Sequence, residues 1–374
     1  MKFIAQITGF IILIIGTTAT SQTKNDTHMT RWDIEPSFKY DALCFLNILT
    51  ADSFYLMYYK EEYEKFKPKL TPDAIKALSD MKHTMKDENG TIISAFLCLY
   101  FSAVEDSTLE QMSARLDNLH LMDDNMKKTP YYNEDSWKLL VSQKDNLKVI
   151  FKFLLDIDFT KYWKENILPK VQNKISEIEP KLPQYDVVKE DEEMLGFKLP
   201  SDKITVYMLY YSQPHGIRVT GMRFLTDIAW PFNIVIRNAA HEMMHPPYDI
   251  LHDNELKEAI ESMRNDTFLM DKVLNHNPSF GYNTLEGLME EDCVQTMEQL
   301  VNEKLSIAKD AKKRWTESDD GIHVFAIALY QVMKEKNYNE KGEKFRDFLV
   351  RNIKDGTLAP GRIKEYYKRF YKTE

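Results

Sequence analysis

The stretch from residue 204 to residue 245 constrains the fold more than any other part of the chain, because strand-like and helix-like patterns follow one another there. Residues 204–211, 217–220 and 222–225 are rich in β-branched and aromatic side chains, which is typical of strands. Gln213-Pro214-His215-Gly216 indicates a turn, and Gly221 suggests a bulge. A helix is predicted to begin at Asn233 or a neighbour. The order predicts a small antiparallel sheet directly before a helix.

Helical periodicity dominates the remainder of the chain. From about Ser37 to Lys198, apolar residues recur at three- and four-residue spacing, as expected for consecutive helices. Thr71-Pro72-Asp73 is typical of a helix start, with Thr71 as the cap and Pro72 at the first helical position. After residue 250 the pattern is helical again. We therefore predict an α+β, mostly α protein, with a helical N-terminal region over residues 22–200 and a second region, which contains the sheet, over residues 201–374.

The first 21 residues resemble a secretory signal peptide. Lys2 is followed by an apolar run over residues 3–15 and by small residues up to Ser21, which is the usual order of such segments. An uncleaved N-terminal anchor is the alternative, but the run is short for a membrane span and contains Gln6. We predict cleavage after Ser21 and a secreted or periplasmic protein. No other segment is long and apolar enough to span a bilayer, so we expect no stable membrane insertion after signal removal.

Charge and cysteine content exclude some other classes. The chain has 49 Lys and Arg against 58 Asp and Glu, a net charge of −9, which argues against nucleic acid as a partner. Its three cysteines allow at most one internal disulfide. Cys44, Cys98 and Cys293 all have apolar neighbours in the sequence, so we predict buried, unpaired thiols.

The predicted helix after the strands contains His241-Glu242-Met243-Met244-His245. Two histidines four residues apart lie on one helical face, close enough to bind one Zn²⁺. Zinc lowers the pKa of a bound water, and Glu242 is placed to act as general base and then to pass the proton to a leaving amine. The competing interpretation is a pair of ordinary, half-buried histidines on an amphipathic helix.

With the strands before it, this motif resembles the zincin metallopeptidases over residues 204–245. The resemblance implies an exported, zinc-dependent peptidase acting on peptides or proteins, and the whole chain is similar to secreted bacterial proteins with such a motif. It also implies that an edge strand within Ile217–Leu225 pairs with an extended substrate. Pro246-Pro247 stands where metzincins carry a glycine and a third histidine, so the gluzincin arrangement, with a glutamate on a later helix, is the closer one. A non-catalytic binding protein that retains a zincin-like fold is the alternative.

Residues 285–300 are the best candidate for that later helix. Its predicted apolar face consists of Leu285, Met289, Cys293, Met297 and Leu300. Glu286 falls near the middle of this face, where a carboxylate is costly unless it is paired or bound to metal. Glu290 falls at its edge, and Glu291 and Asp292 fall elsewhere. We predict Glu286 as the third zinc ligand, with Glu290 and Glu291 as the alternatives.

The resemblance adds roles to two of these positions. Glu286-Gly287 matches the Glu-Gly found at the third-ligand position of several gluzincins. Glu290, four residues on, matches the acidic residue that accepts a hydrogen bond from the first histidine, a contact that would orient His241.

A donor for the developing oxyanion is also expected at such a site. Asp319-Asp320-Gly321-Ile322-His323 resembles the loop that brings a histidine to thermolysin-like sites, so we predict His323 as a catalytic residue. Tyr282, just before the candidate ligand helix, is the alternative. A structural role is the competing interpretation for each of them.

Overall fold

The computed structural model describes residues 30–339 and 342–372. The predicted signal peptide, residues 1–21, lies outside the described residues. The described part is mostly helical and contains one small sheet, which confirms the predicted α+β, mostly α class. The α-helices are α1 (Phe38–Leu49), α2 (Ser53–Phe66), α3 (Pro72–Lys82), α4 (Ile93–Phe101), α5 (Leu109–Arg115), α6 (His120–Met126), α7 (Glu134–Ser142), α8 (Lys144–Asp156), α9 (Phe159–Asn166), α10 (Leu168–Ile178), α11 (Val187–Leu195), α12 (Phe232–Met243), α13 (Asn254–Ser262), α14 (Thr267–Asn275), α15 (Leu285–Lys304), α16 (Ala311–Glu317), α17 (Val324–Glu335), α18 (Phe345–Lys354) and α19 (Ile363–Lys372).

Four strands form one mixed sheet. They are β1 (Arg31–Pro36), β2 (Lys203–Leu209), β3 (Ile217–Val219) and β4 (Arg223–Asp227), in the order β1-β2-β4-β3. β1 pairs with β2 and β2 with β4 in parallel, whereas β3 and β4 are antiparallel. The prediction of an antiparallel sheet is therefore wrong except for the β3–β4 hairpin. Parallel pairs need long crossover connections, which leave no local turn signal to read.

Two details of the strand region also differ from expectation. Gly221 lies in the turn between β3 and β4 with a φ of 76°, a left-handed conformation that favours glycine, and not in a bulge. β1 lies in the region predicted to be helical, where Ile34 pairs with Val206 of β2 and both side chains are buried. The N-terminal region therefore contributes one edge strand to the sheet.

The helix start predicted at residue 71 is confirmed. Thr71 has extended backbone and its hydroxyl accepts a hydrogen bond from the backbone N–H of Ala74 at 3.2 Å, while Pro72 is the first residue of α3. This cap satisfies one of the N–H groups that a helix start leaves without an intrahelical partner. The helix then packs against α8 within the N-terminal region.

The apolar core is continuous across residue 200. Buried side chains such as Phe45 of α1, Val206 of β2 and Met297 of α15 belong to one contiguous cluster. All three cysteines are buried and free, which confirms that prediction. Within residues 30–339 and 342–372, no helix is both long and apolar enough to cross a membrane.

Helix α15 is the central element of the C-terminal region. It packs against α12, which follows the hairpin, and against α11 and α17. Its buried residues include apolar ones and several acids and amides on other sides of the helix. Since buried polar groups need partners, the acidic residues of α15 must be matched by groups on the neighbouring helices.

Candidate metal centre

The two histidines of the sequence motif lie together at the end of α12. His241 is in its last turn, and His245 follows two residues after its last residue. Their Nε2 atoms are 3.2 Å apart, and each side chain is 18% exposed. The i, i+4 spacing therefore turns both Nε2 atoms toward one point that solvent reaches in part.

Glu291 of α15 supplies a third donor at the same point. Its Oε1 is 3.6 Å from Nε2 of His241, and its Oε2 is 3.4 Å from Nε2 of His245. Among the described residues, these three form a group of potential metal-binding side chains. Two ligand atoms bound to one tetrahedral zinc at 2.0–2.1 Å lie roughly 3.4 Å apart. The three donors therefore fit a single zinc ion in both type and spacing.

Glu286, the residue predicted as third ligand, lies elsewhere. One of its oxygens is 2.6 Å from Nη2 of Arg264, and its side chain is 39% exposed. Five residues separate it from Glu291, which is about 140° around a helix, so the two carboxylates point in different directions. The prediction assumed a single buried face on this helix, but α15 is buried on most sides. Glu291 therefore replaces Glu286 as the candidate ligand.

The other ring nitrogen of each histidine contacts a carboxylate. Nδ1 of His245 is 3.4 Å from Oε1 of Glu290, and Nδ1 of His241 is 3.2 Å from Oε2 of Glu298. Such contacts fix the tautomer and ring orientation of metal-binding histidines. Glu290 thus lies beside the second histidine and not, as predicted, the first. Glu298 was missed, although its position seven residues after Glu291 places it on the same helical face.

Glu298 is itself held by a buried network. It accepts hydrogen bonds from Arg314, from Nε of Arg237 at 3.4 Å and from the side-chain amide of Asn302 at 2.8 Å. Burial raises the pKa of Glu298, but Arg314, His241 and Arg237 outweigh burial and hold it at about 2. The residue behind His241 is therefore a carboxylate in its charged form.

The charges at the centre are strongly coupled. Burial lowers the pKa of His245, but its contacts with Glu290 and Glu291 outweigh burial and raise it to about 10. Burial raises the pKa of Glu291, but the two histidines outweigh burial and lower it below its usual range. Glu242 acts on both imidazoles in the same direction. These carboxylates favour positive charge on the imidazoles, and for the same reason they would favour a cation at the point where the donors converge.

Glu242 lies against the turn that precedes β3. It is buried, and its charge acts on both imidazoles. A Cβ atom on Gly216 would lie 3.2 Å from Oε1 of Glu242 and 3.1 Å from the side-chain nitrogen of Asn238. A side chain at position 216 would therefore crowd the carboxylate. The turn predicted at residues 213–216 thus brings the backbone against the predicted general base.

The backbone of the motif is held by Arg218 and Tyr131. Arg218, on β3, donates a hydrogen bond to the carbonyl oxygen of Glu242, and its Nε donates to the Tyr131 hydroxyl at 3.2 Å. That hydroxyl donates to the carbonyl oxygen of His245 at 3.1 Å. Carbonyl groups at the end of a helix lack intrahelical partners. Arg218 and Tyr131 supply those partners and tie the edge strand and the N-terminal region to the motif.

His323, predicted as an oxyanion donor, is instead locked in a buried ion pair. Its Nδ1 is 2.7 Å from Asp292 and its Nε2 is 2.9 Å from Asp319, and the side chain is fully buried. Burial lowers the pKa of His323, but the two aspartates outweigh burial and raise it to about 10. Both ring nitrogens form hydrogen bonds with carboxylates, so this side chain has no ring N–H left to donate to a substrate.

Tyr282, the alternative donor, lies beside Glu291, with which its side chain forms a hydrogen bond. Burial raises its pKa, and so do the charges of Glu291, Asp319 and Glu242, in that order. Its ring packs edge-on against that of His323, with centroids 5.9 Å apart. Its φ of 56° is unfavourable for a bulky residue, which is common where a backbone is constrained at a site. The hydrogen bond to Glu291 directs the phenol toward the candidate metal centre.

Comparisons of the chain with protein-family models, with curated proteins and with solved structures find no match.

Proposed function

We propose that this chain is an exported zinc-dependent peptidase. The observation that carries the proposal is the convergence of His241, His245 and Glu291 on one point, with Glu242 beside it. A chance pair of histidines on a helix would not be expected to meet a buried carboxylate from another helix at ligand spacing. It would be expected even less to have a carboxylate behind each ring.

His241, His245 and Glu291 would hold the zinc, and Glu290 and Glu298 would orient the two imidazoles. Zinc, when bound, supplies Lewis-acid chemistry, which lowers the pKa of water and polarises a carbonyl group. Three protein ligands are the usual number at a catalytic zinc site, because one position stays open. The donor set thus supports a catalytic and not a purely structural role.

The chain's own residues would perform the proton transfers and the positioning. Glu242, the only acid within the motif, would accept a proton from the attacking water and deliver it to the leaving amine. The Tyr282 hydroxyl is the better-placed donor for the developing oxyanion, since the ring nitrogens of His323 are occupied. Arg218 would hold the end of α12 beside the edge strand through its hydrogen bond to the carbonyl oxygen of Glu242.

A peptide substrate is favoured by the sheet. β3 is an edge strand and its pairing partner within the sheet is β4. Edge strands bind extended peptides through main-chain hydrogen bonds. Because Arg218 of β3 is bonded to the backbone of Glu242, a peptide along this edge would lie close to the general base.

The N-terminal sequence supports export. A charged start, an apolar run and small residues up to Ser21 support removal of residues 1–21 and a secreted or periplasmic location. A peptidase in either place would meet peptides and proteins as substrates.

The test combines metal content with activity. Elemental analysis of the purified exported protein should give about one zinc per chain, and Glu291→Ala and His241→Ala should lose it. Glu286→Ala, on the same helix, is the matched control and should retain zinc. Zinc kept by Glu291→Ala and lost by Glu286→Ala would contradict the ligand assignment.

Glu242→Gln separates catalysis from binding. It should retain zinc, because Glu242 is not among the ligands, and lose peptide hydrolysis measured by mass spectrometry. If the wild-type chain binds zinc but cleaves none of a broad set of peptides, the peptidase proposal fails and a non-catalytic binding protein is favoured.

A further inference from the structure

A cavity of about 420 Å³ lies between the N-terminal region and the segments that precede β3 and α15. The N-terminal region forms one side of it, through Phe54 and Tyr55 of α2 and Ile93 of α4. The turn before β3 and the loop before α15 form the other side, through His215 and Asn283. This volume lies within the usual range for small-ligand sites.

Two segments of the cavity wall also flank the reacting groups. His215 precedes Gly216, whose backbone lies against Oε1 of Glu242. Asn283 follows Tyr282, whose phenol faces Glu291. Two residues of the cavity wall are therefore neighbours in the chain of residues that contact the proposed general base and a proposed metal ligand.

Aromatic rings form one wall. The rings of Phe54 and Tyr55 are perpendicular, with centroids 5.2 Å apart, and the His215 ring lies 6.1 Å and 5.8 Å from them. The Tyr55 hydroxyl is 3.0 Å from Nε2 of His215 and holds the imidazole in place. A further ring at 4.5–7 Å from these would gain the edge-to-face or offset contacts that aromatic pairs prefer.

The charged groups around the cavity do not favour a charged occupant. Lys86 lies on the wall, but its ammonium is paired with Asp52. Burial, and then Lys86, lower the pKa of His215 to about 4, with Asp319 acting in the opposite direction. The same burial and the same lysine would disfavour a cation. Asp87 and Glu88 at the rim are half-exposed and so act weakly.

We propose that this cavity is the subsite that binds an uncharged aromatic side chain of a peptide substrate, next to the bond that is cleaved. The assignment of the occupant to a substrate rests on the proposed peptidase function. It gives the N-terminal region a role, since α2 and α4 supply the apolar part of the subsite.

The first experiment maps cleavage. A library of randomised octapeptides is incubated with the exported protein, and the cleaved bonds are identified by mass spectrometry. We expect phenylalanine, tyrosine or tryptophan to be enriched at least about tenfold over glycine or alanine at one position beside the bond, a typical discrimination for a hydrophobic pocket. Cleavage without an aromatic preference would overturn the subsite and leave the peptidase function standing.

Two variants change the cavity in opposite directions. Asn283→Trp, at an exposed position on the wall, should fill the cavity and remove most of the aromatic enrichment while zinc content stays the same. Asn275→Trp, an equally exposed position at the end of α14, is the matched control and should keep the enrichment. Ile93→Ala should enlarge the cavity and shift the preference from phenylalanine toward tryptophan. Equal preferences in all four proteins would overturn the proposal.

A binding measurement separates failure of the subsite from failure of the function. N-acetyl-phenylalanine amide and N-acetyl-lysine amide are added to Glu242→Gln, and binding is followed by ligand-observed NMR. Binding of the aromatic probe alone, abolished by Asn283→Trp, supports the subsite even if no peptide is cleaved. Equal binding of both probes, or no effect of Asn283→Trp, overturns it.

Discussion

Replacing Glu298 by Gln tests the network behind His241. The substitution keeps the size of the side chain and removes the charge that His241, Arg237 and Arg314 share. Two consequences follow, one for the metal and one for the fold, and they are measured separately.

The metal consequence comes from the contact between Glu298 and Nδ1 of His241. Loss of a carboxylate behind a metal-binding histidine typically weakens metal affinity by about 10–100-fold, which is about 1.4–2.7 kcal/mol. We expect the zinc dissociation constant, measured by competition with a chromogenic chelator, to rise by this factor.

The folding consequence comes from the two arginines. Arg314 and Arg237 are both buried and would lose their shared anion. Removing one partner of a buried ion pair typically costs about 3–5 kcal/mol, because the other charge stays buried without compensation. Urea unfolding of the metal-free protein should show a loss of this size. The metal-free form is needed because bound zinc would itself add stability.

Two further variants make the result decisive. Glu303→Gln, one turn later on α15, removes an acid that contacts Tyr330 and Lys334 at a more exposed place, and it should leave zinc affinity unchanged. Arg314→Met added to Glu298→Gln should recover part of the stability and none of the zinc affinity. Zinc affinity within twofold of wild type in Glu298→Gln would refute the assignment of Glu298 to His241.

Three other predictions follow from the structure. Burial is the main cause that lowers the pKa of His215 to about 4. The neutral side chain therefore adds free energy of unfolding that is fully present above about pH 6.5 and is lost as the pH falls toward 4. The loss is about 3 kcal/mol at most. His215→Gln should flatten this dependence in urea titrations, whereas His252→Gln, whose side chain is 82% exposed, should not. All three thiols are free and buried, so a thiol reagent should modify none of them in the native protein and all three after denaturation. Modification of fewer than three thiols after denaturation would indicate a disulfide. Mass spectrometry of the exported protein should show the loss of residues 1–21, and an intact Met1 would identify an anchor.

The features that were predictable from the sequence depend on near neighbours. Thr71 and Pro72 specify a helix start within three residues, and the structure has the cap where it was expected. The i, i+4 spacing of His241 and His245 brings their Nε2 atoms together whatever the rest of the fold does. The strand character of residues 204–225 likewise needs only the local pattern.

The features that were not predictable depend on distant partners. β1 is six residues long, and its parallel partner β2 begins near residue 203. Nothing within residues 31–36 indicates that partner. The directions of the strands follow from it, so the strand character of residues 204–225 was predictable, whereas the mixed sheet and the β3–β4 turn, which was predicted as a bulge, were not.

The proposed third ligand illustrates the same limit on a single helix. An apolar stripe shows which side of a helix is buried only when the opposite side faces water, and α15 packs against α11, α12 and α17. Its acids therefore divide among partners on several sides: Glu286 with Arg264, Glu291 with the histidines, and Asp292 with His323. On such a helix the informative pattern is the spacing of the acids. Glu291 and Glu298 are seven residues apart, about two helical turns, and both contact His241, so this spacing indicates the face of α15 that meets the two histidines.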